Sequence, residues 1–348
     1  MGRARRHIVA GEVYELCFRA KSGLPFVIYK LINLIIQGVV ARVQRDFKVI
    51  LCHDIWNGSH AHIIVIAKDH AGVSAFAGQI EKRLTDCLKR LLGLSSLSLW
   101  DGRPRIIPIL DAEKVTDRIA YLYANPGQDN IVDSIETFPG VSSWQDFSKA
   151  SSDISFKAHK NFPHIRLRDL PLLRDRRLTH RQDEFYTSRI IEHAQEFHPL
   201  DRQPNAWMGR FGVTSGQQVA KLNETILRKT RALEEIAREK REIEGKQIFS
   251  RNKLLSQPIL KDHTPPPKEG NILCMATDRK DRLFYRKKFK RYQSECTECY
   301  QRERVGEQGV LWPPGAFKPP SRLTFNMLPS RSSRTEYPLM TAEQVFSR

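Results

Sequence analysis

Along residues 7–126, the hydrophobic positions change between the two-residue period of strands and the roughly 3.6-residue period of helices. The pattern predicts four strands and three helices, at residues 7–19, 26–46, 48–55, 60–66, 71–92, 97–110 and 111–126. Strand, helix, strand, strand, helix, strand, helix is the order of a small antiparallel sheet with helices packed on one face. We therefore predict an α+β chain with a ferredoxin-like layer.

The second and third strands are joined by a tight turn that places two histidines on one side of the sheet. Asn57-Gly58 is a strong hairpin signal, and the β-branched run after it indicates a buried strand. Side chains alternate along a strand, so His60 and His62 point the same way, about 6–7 Å apart. Two such imidazoles can share a divalent metal ion. The alternative is a surface pair or a hydrogen-bonded core pair.

The last predicted helix of this half, ending near Pro126, carries two reactive groups on one face. Tyr121 and Asn125 are four residues apart, so a phenol and an amide oxygen are presented together. Tyr123 points elsewhere on the helix and is our second choice for a reactive tyrosine. The alternative is that Tyr121 only packs and that Asn125 only forms a turn before proline.

Together the two motifs resemble those of the HUH single-tyrosine transposases, in particular the REP-associated tyrosine transposases of bacteria. That family has a histidine-hydrophobic-histidine strand, followed by a helix that reads roughly Tyr-Ile-x-x-Asn-Pro. The resemblance covers about residues 7–148. This chain departs from the pattern at Gly58-Ser59, where the family often has Pro-Asn, and at the small Ala61 and at Gly127.

The chemistry that these residues suit is transesterification of a phosphodiester. His60, His62 and the side-chain oxygen of Asn125 would hold Mg²⁺ or Mn²⁺, which would polarise the scissile phosphate. Tyr121 would attack and form a 5′-phosphotyrosine link, which leaves a free 3′ hydroxyl for later strand transfer. The resemblance implies single-stranded DNA with small hairpins as the substrate. It also implies the ferredoxin-like fold that the hydrophobic pattern predicts.

The second half of the chain has a different composition, and we place a domain boundary near residue 150. Residues 1–150 would form the HUH transposase-like domain, and 151–348 a basic, mainly helical extension with an irregular tail. Helices are predicted near 181–197 and 216–244, where Ser215 begins a capping-box pattern. Cys296 and Cys299 form one Cys-x-x-Cys, which is too few ligands to predict a zinc site.

The charge of the chain favours a polyanionic partner. With 57 Lys and Arg against 39 Asp and Glu, the formal net charge is +18 and the pI about 9.8. Nucleic acid or an acidic membrane surface would fit this excess. Candidate DNA contacts are Lys82, Arg103 and Arg105.

The remaining composition points to a cytoplasmic protein, and the resemblance implies a bacterial, nucleoid-associated one. No run of about 20 cleanly apolar residues suggests a membrane span, and the six cysteines do not form a secreted disulfide pattern. We expect no membrane partner, no small-molecule cofactor, and a monomer or a dimer.

Two other functions remain open from the sequence. The chain could be a non-catalytic hairpin DNA- or RNA-binding protein derived from such a transposase. It could also be a metal-dependent hydrolase that uses water in place of Tyr121.

Overall fold

The computed structural model describes residues 6–21, 26, 28–173, 175–261, 270 and 272–316. Within these residues the chain is α+β, as predicted, and is built on one six-stranded sheet. The strands are β1 (Val13–Arg19), β2 (Val49–Trp56), β3 (His60–Ala67), β4 (Arg105–Ile109), β5 (Ala158–Pro163) and β6 (Phe197–Arg202). The helices are α1 (Lys30–Asp46), α2 (Gly72–Leu91), α3 (Ala112–Gln128), α4 (Trp144–Ala150), α5 (His180–Glu192), α6 (Gly216–Ile243), α7 (Arg251–Leu255) and α8 (Arg279–Arg304).

The sheet is mixed, with the order β4-β1-β3-β2-β6-β5. The first four strands pair antiparallel, and the hairpin predicted at Asn57-Gly58 joins β2 to β3. The prediction of a purely antiparallel sheet is corrected at β6, which pairs parallel to β2. Pro108 lies in β4, and β4 is an edge strand, where a residue without an N–H is tolerated.

Helices cover both faces of the sheet, so the prediction of helices on one face is also corrected. Alternate residues of β3 separate two cores. Ala61, Ile63 and Val65 pack with α1 and α2, whereas Ile64 and Ile66 pack with α3 and α6. The apolar stripe of α3 requires a hydrophobic surface, and the second face of β3 supplies one.

The predicted boundary near residue 150 does not coincide with an edge of the sheet. Beyond it, β5 and β6 form an antiparallel pair, with α5 in the connection between them. This pair extends the sheet of the first half next to β2. The helix predicted over 181–197 ends at Glu192, and β6 begins at Phe197. Residues 1–150 and 151–348 therefore contribute strands to the same sheet.

The buried side chain of Arg202, at the end of β6, ties the added strands to the first half. Its guanidinium donates to Asp54 of β2 at 2.7 and 3.2 Å and to Asp146 of α4 at 3.0 Å. All three side chains are almost fully buried. Such charges are tolerated in a core only when they are paired and hydrogen-bonded.

The long helix α6 packs along α3. The predicted capping box is present, with Ser215 and Gln218 bonding reciprocally at the start of α6. Val219 and Ile226 are buried in the core that α3 and the sheet share. The predicted irregular tail has no helix or strand over residues 312–316, and its remainder, from residue 317 onward, lies outside the described residues.

Candidate active site

His60 and His62 lie at the start of β3, on the face covered by α3. Their ring centroids are 5.4 Å apart, and the planes are nearly perpendicular. Cys17 pairs with His62 and Arg19 with His60, so these two residues of β1 lie on the same face. The structure thus presents both imidazoles beneath the helix that carries Tyr121 and Asn125.

His62 is oriented by a buried carboxylate on the neighbouring strand. Its Nδ1 lies 2.7 Å from Glu15 Oε1, and a carboxylate can only accept, so Nδ1 carries the hydrogen. In the neutral ring this leaves the lone pair on Nε2. Burial alone would raise the pKa of Glu15, but hydrogen bonds from His62 and Arg118 lower this pKa to about 2. Carboxylate partners of this kind fix the tautomer of metal-binding histidines.

Arg118 connects Glu15 to the candidate nucleophile. It donates to both oxygens of Glu15, at 2.8 and 2.7 Å, and its guanidinium carbon lies 4.3 Å from the centroid of the Tyr121 ring. Arg118 is three residues before Tyr121 on α3, so the two side chains share one face of the helix. A cation over an aromatic ring is attracted to the ring face and restricts its orientation.

The phenol ring of Tyr121 lies beside the histidine pair. Its centroid is 6.0 Å from that of His62, with the rings perpendicular. Tyr123, our second choice, is fully buried on another side of α3, where its hydroxyl lies 2.7 Å from His53 and 3.0 Å from Ser143. Tyr123 therefore packs the core.

His60 faces the end of α3. Its Nε2 lies 3.0 Å from the side-chain amide nitrogen of Asn125 and accepts from it. Burial and the neighbouring His62 lower the pKa of His60 to about 3, so the ring is neutral at ordinary pH. Because the amide oxygen and nitrogen occupy equivalent positions, rotation of the Asn125 amide would direct its oxygen to the same place.

Asp129 is a carboxylate at this site that the sequence analysis did not identify. Its Oδ2 lies 3.7 Å from His60 Nε2 and accepts from Asn57 at 3.0 Å. Partial burial raises the pKa of Asp129 to about 6. Asp129 follows Asn125 by four residues, just as Asn125 follows Tyr121. Helical spacing could therefore have identified it, had the helix not been expected to end at Pro126.

The donor atoms fit a hard divalent cation. His60 and His62 offer nitrogen ligands. Asn125 and Asp129 offer oxygen ligands, which Mg²⁺ and Mn²⁺ prefer. Glu15, Cys17 and His62 also lie within ligand distance of one another. Burial raises the pKa of Cys17 well above its ordinary value, so the thiol stays protonated and is a poor ligand.

The three candidate DNA contacts lie in different places. Arg105 pairs with Cys17 across β1, so it is on the same face of the sheet as the histidines. Lys82 is exposed on α2, on the opposite face. Arg103 precedes β4, and its charge acts on Arg6 and Glu81. Of these three residues, only Arg105 lies on the same face of the sheet as the candidate site.

The helix that carries Tyr121 is fixed from outside by α6. Lys229 bonds to Asp117 at 2.6 Å, and Arg241 donates to the carbonyl of Gly127 at 2.7 Å and also contacts Asp133. These bonds lie before and after the segment from Tyr121 to Asn125. Part of the second half of the chain therefore holds the candidate site in place.

A solved structure with partial similarity to this chain is that of a tyrosine transposase bound to a REP hairpin. The similar protein is a REP-associated tyrosine transposase. The two chains are 18% identical, the match covers 43% of this chain and 87% of that chain, and the TM-score is 0.37. What this chain does has to be inferred from its own side chains.

Comparisons by sequence identify no relative. Neither the models of known protein families nor the curated proteins contain a match to this chain. Among the described residues, no helix has both the length and the apolar character needed to cross a membrane.

Proposed function

We propose that this chain cuts and rejoins single-stranded DNA through a covalent 5′-phosphotyrosine intermediate on Tyr121. The observation that carries the proposal is that His60, His62, Asn125 and the ring of Tyr121 lie next to one another, between β3 and α3. His60 also faces the Asn125 amide and the Asp129 carboxylate, which could supply oxygen ligands to an ion. The guanidinium of Arg118 lies over the Tyr121 ring and restricts its orientation.

The residues that would hold a divalent ion are His60, His62 and Asn125, with Asp129 as a fourth oxygen donor. When bound, such an ion offsets negative charge on the scissile phosphate. Glu15 keeps the Nδ1 hydrogen of His62 engaged, so the ring presents Nε2. Arg118 holds Glu15 and also restricts the Tyr121 ring.

The reaction conserves the number of phosphodiester bonds. The Tyr121 oxygen loses its proton and forms a bond to phosphorus, while the bond from phosphorus to the 3′ oxygen breaks. The 3′ oxygen takes up a proton and leaves as a hydroxyl, and the 5′ phosphate stays on the tyrosine. Attack by another 3′ hydroxyl reverses the step and joins a new strand. No nucleotide cofactor is consumed.

The proposed substrate is a single strand with a small hairpin. The sequence resemblance suggests it, and the positive charge of the chain supports a nucleic acid partner. The similar protein was solved with a REP hairpin, and we propose the same class of substrate here.

The test is incubation of the full chain with labelled hairpin-bearing single strands and Mn²⁺, followed by a denaturing gel. We expect a covalent protein–DNA band that Tyr121→Phe abolishes and that chelation of the metal prevents. The matched control is Tyr123→Phe, on the same helix but in the core, which should keep the band. Losing its buried hydroxyl should lower stability by about 1 kcal/mol.

The other outcomes identify the other functions. Cleavage that persists in Tyr121→Phe would mean a hydrolase that uses water. Tight binding without cleavage by the unmodified chain would mean a hairpin-binding protein. Either result would contradict the proposed activity.

A further inference from the structure

A second group of metal-ligand side chains lies at the far end of the sheet from His60. His164 directly follows β5, Glu196 directly precedes β6, and His198 is the second residue of β6. The backbone N–H of His164 donates to the carbonyl of Glu196 at 2.8 Å, so the two residues lie opposite each other at one end of the β5–β6 pair. Glu196 and His198 are two residues apart and lie on the same side of their strand.

The separation from the candidate active site follows from the sheet. β6 runs parallel to β2, with Arg202 opposite Leu51, so His198 lies toward the start of β2. His60 lies beyond the other end of β2, across the hairpin turn. The cluster also contacts the end of α1, through Arg42 and Arg45, on the sheet face away from α3.

Three donor atoms converge in this cluster. His164 Nδ1 is 2.8 Å from Glu196 Oε2, and His198 Nε2 is 3.2 Å from His164 Nδ1 and 3.7 Å from Glu196 Oε1. The His198 side chain is 2% exposed and aims its Nε2 into the group, whereas that of Glu196 is 52% exposed. Two imidazoles and one carboxylate form a common ligand set for Zn²⁺, with one further position left for water.

Two arginines contact the outer ring nitrogens of this cluster. Arg42 lies 2.6 Å from His164 Nε2, and Arg45 lies 3.3 Å from His198 Nδ1. A guanidinium can only donate, so while these contacts are made each outer nitrogen accepts, and His164 Nδ1 donates its hydrogen to Glu196 at 2.8 Å. A cation on the two inner nitrogens requires the hydrogens to lie on the outer ones. Binding of an ion would therefore turn both guanidiniums away from the rings.

Arg45 keeps several other bonds if it leaves the His198 ring. Arg45 also bonds to Asp46 at 2.9 and 3.0 Å and to Glu196 at 3.0 Å, and these bonds are shorter than its contact with His198.

We propose that His164, Glu196 and His198 form a second metal site that takes a zinc-type divalent transition ion. The ion would link the end of β5 to the start of β6, where the chain leaves the strand pair and returns to it. Imidazole ligands favour Zn²⁺ or Co²⁺ over Mg²⁺, and this site offers only one oxygen donor, whereas the one at His60 has both an amide and a carboxylate.

The test uses the full chain with His60→Ala and His62→Ala, so that binding at the other histidine pair is removed. The chain is first treated with a chelator. Zn²⁺ is then titrated into it in the presence of excess Mg²⁺ and binding is followed by calorimetry. A parallel titration with Co²⁺ is followed by visible absorption. We expect one equivalent to bind and to raise the melting temperature, because the ion binds the folded state. Adding Glu196→Gln, at an exposed side chain, should weaken binding at least tenfold, and His198→Ala at least a hundredfold.

The matched control is His159→Ala, an exposed histidine on β5 that pairs with Asp201, which should leave binding unchanged. Absence of a bound equivalent in the His60/His62 double variant would overturn the proposal. Equal binding by the Glu196, His198 and His159 variants would also overturn it. A Co²⁺ spectrum with thiolate bands that none of these substitutions changes would place the ion at cysteines instead.

Discussion

Glu15 is the residue on which the geometry of the candidate site depends most. It is 1% exposed, and it accepts from His62 at 2.7 Å and from Arg118 at 2.8 and 2.7 Å. A buried carboxylate without such partners would shift toward its neutral form. One side chain therefore fixes both the ring that would bind the ion and the arginine over Tyr121.

We predict that Glu15→Gln weakens the dependence of the reaction on its metal. The amide replaces one acceptor oxygen with a donor and removes the negative charge, so the bond that fixes the His62 tautomer is weakened, and metal affinity should fall about 10–100-fold. The measurement is the Mn²⁺ concentration that gives half-maximal adduct. Glu12→Gln is the control, because Glu12 pairs with Arg210 at the surface. An unchanged Mn²⁺ requirement in Glu15→Gln would contradict this role.

The sequence predicted the reactive residues better than the residues that support them. His60, His62, Tyr121 and Asn125 could be found because short-range spacing places each pair on one face. Glu15 could not be found in this way. Its contact with His62 depends on the pairing of β1 with β3, which is set by the packing of the whole sheet.

At the level of strands and helices, β6 depends on one buried ionic group. Arg202 joins β6 to β2 and α4 through Asp54 and Asp146. Lys160 of β5 also bonds to Asp146 at 2.8 Å, so the same group reaches the outer edge of the sheet. The β5–β6 pair is thus anchored in the core of the first half.

We predict that Arg202→Leu lowers the free energy of unfolding by about 3–5 kcal/mol, because Asp54 would be left buried and unpaired. The measurement is urea denaturation. Arg210→Leu is the control: its ion pair with Glu12 is partly exposed and should be worth about 0–1 kcal/mol. Equal losses in the two variants would show that β6 is not anchored in this way.

The helices with a clear apolar period were predictable from the sequence, and the β5–β6 pair at the edge of the sheet was not. The apolar patterns of α1, α2, α3 and α6 agree with the helices observed, within a few residues at the ends. β5 lies at an edge with most of its side chains exposed, so it has no alternating apolar pattern to detect. Periodicity also shows that α3 has an apolar stripe without showing which face of the sheet it covers.

Across the protein, the excess of positive charge is the feature that bears on the proposed nucleic acid partner. The net charge of +18 supports binding to phosphates, and Arg105 is on the face of the site while Lys82 is on the opposite one. The general charge would supply affinity, and the residues near the histidines would decide where the strand lies.

We predict that affinity of the Tyr121→Phe chain for a hairpin-bearing strand falls steeply with salt. The slope of log K against log salt should be about −0.7 per phosphate contacted. Arg105→Gln should reduce this slope by about one contact, whereas Lys82→Gln should leave it unchanged. Fluorescence anisotropy at several salt concentrations measures both. If Lys82→Gln changed the slope and Arg105→Gln did not, the strand would lie on the other face.

The most direct test of the proposed chemistry is to locate the covalent bond. The unmodified chain is incubated with a hairpin-bearing single strand and Mn²⁺, digested with nuclease and protease, and its peptides are analysed by mass spectrometry. We predict a nucleotide 5′-phosphate on the peptide that contains Tyr121, attached to that residue and not to Tyr123. A bond at any other residue, or cleaved DNA with no modified peptide, would contradict Tyr121 as the nucleophile.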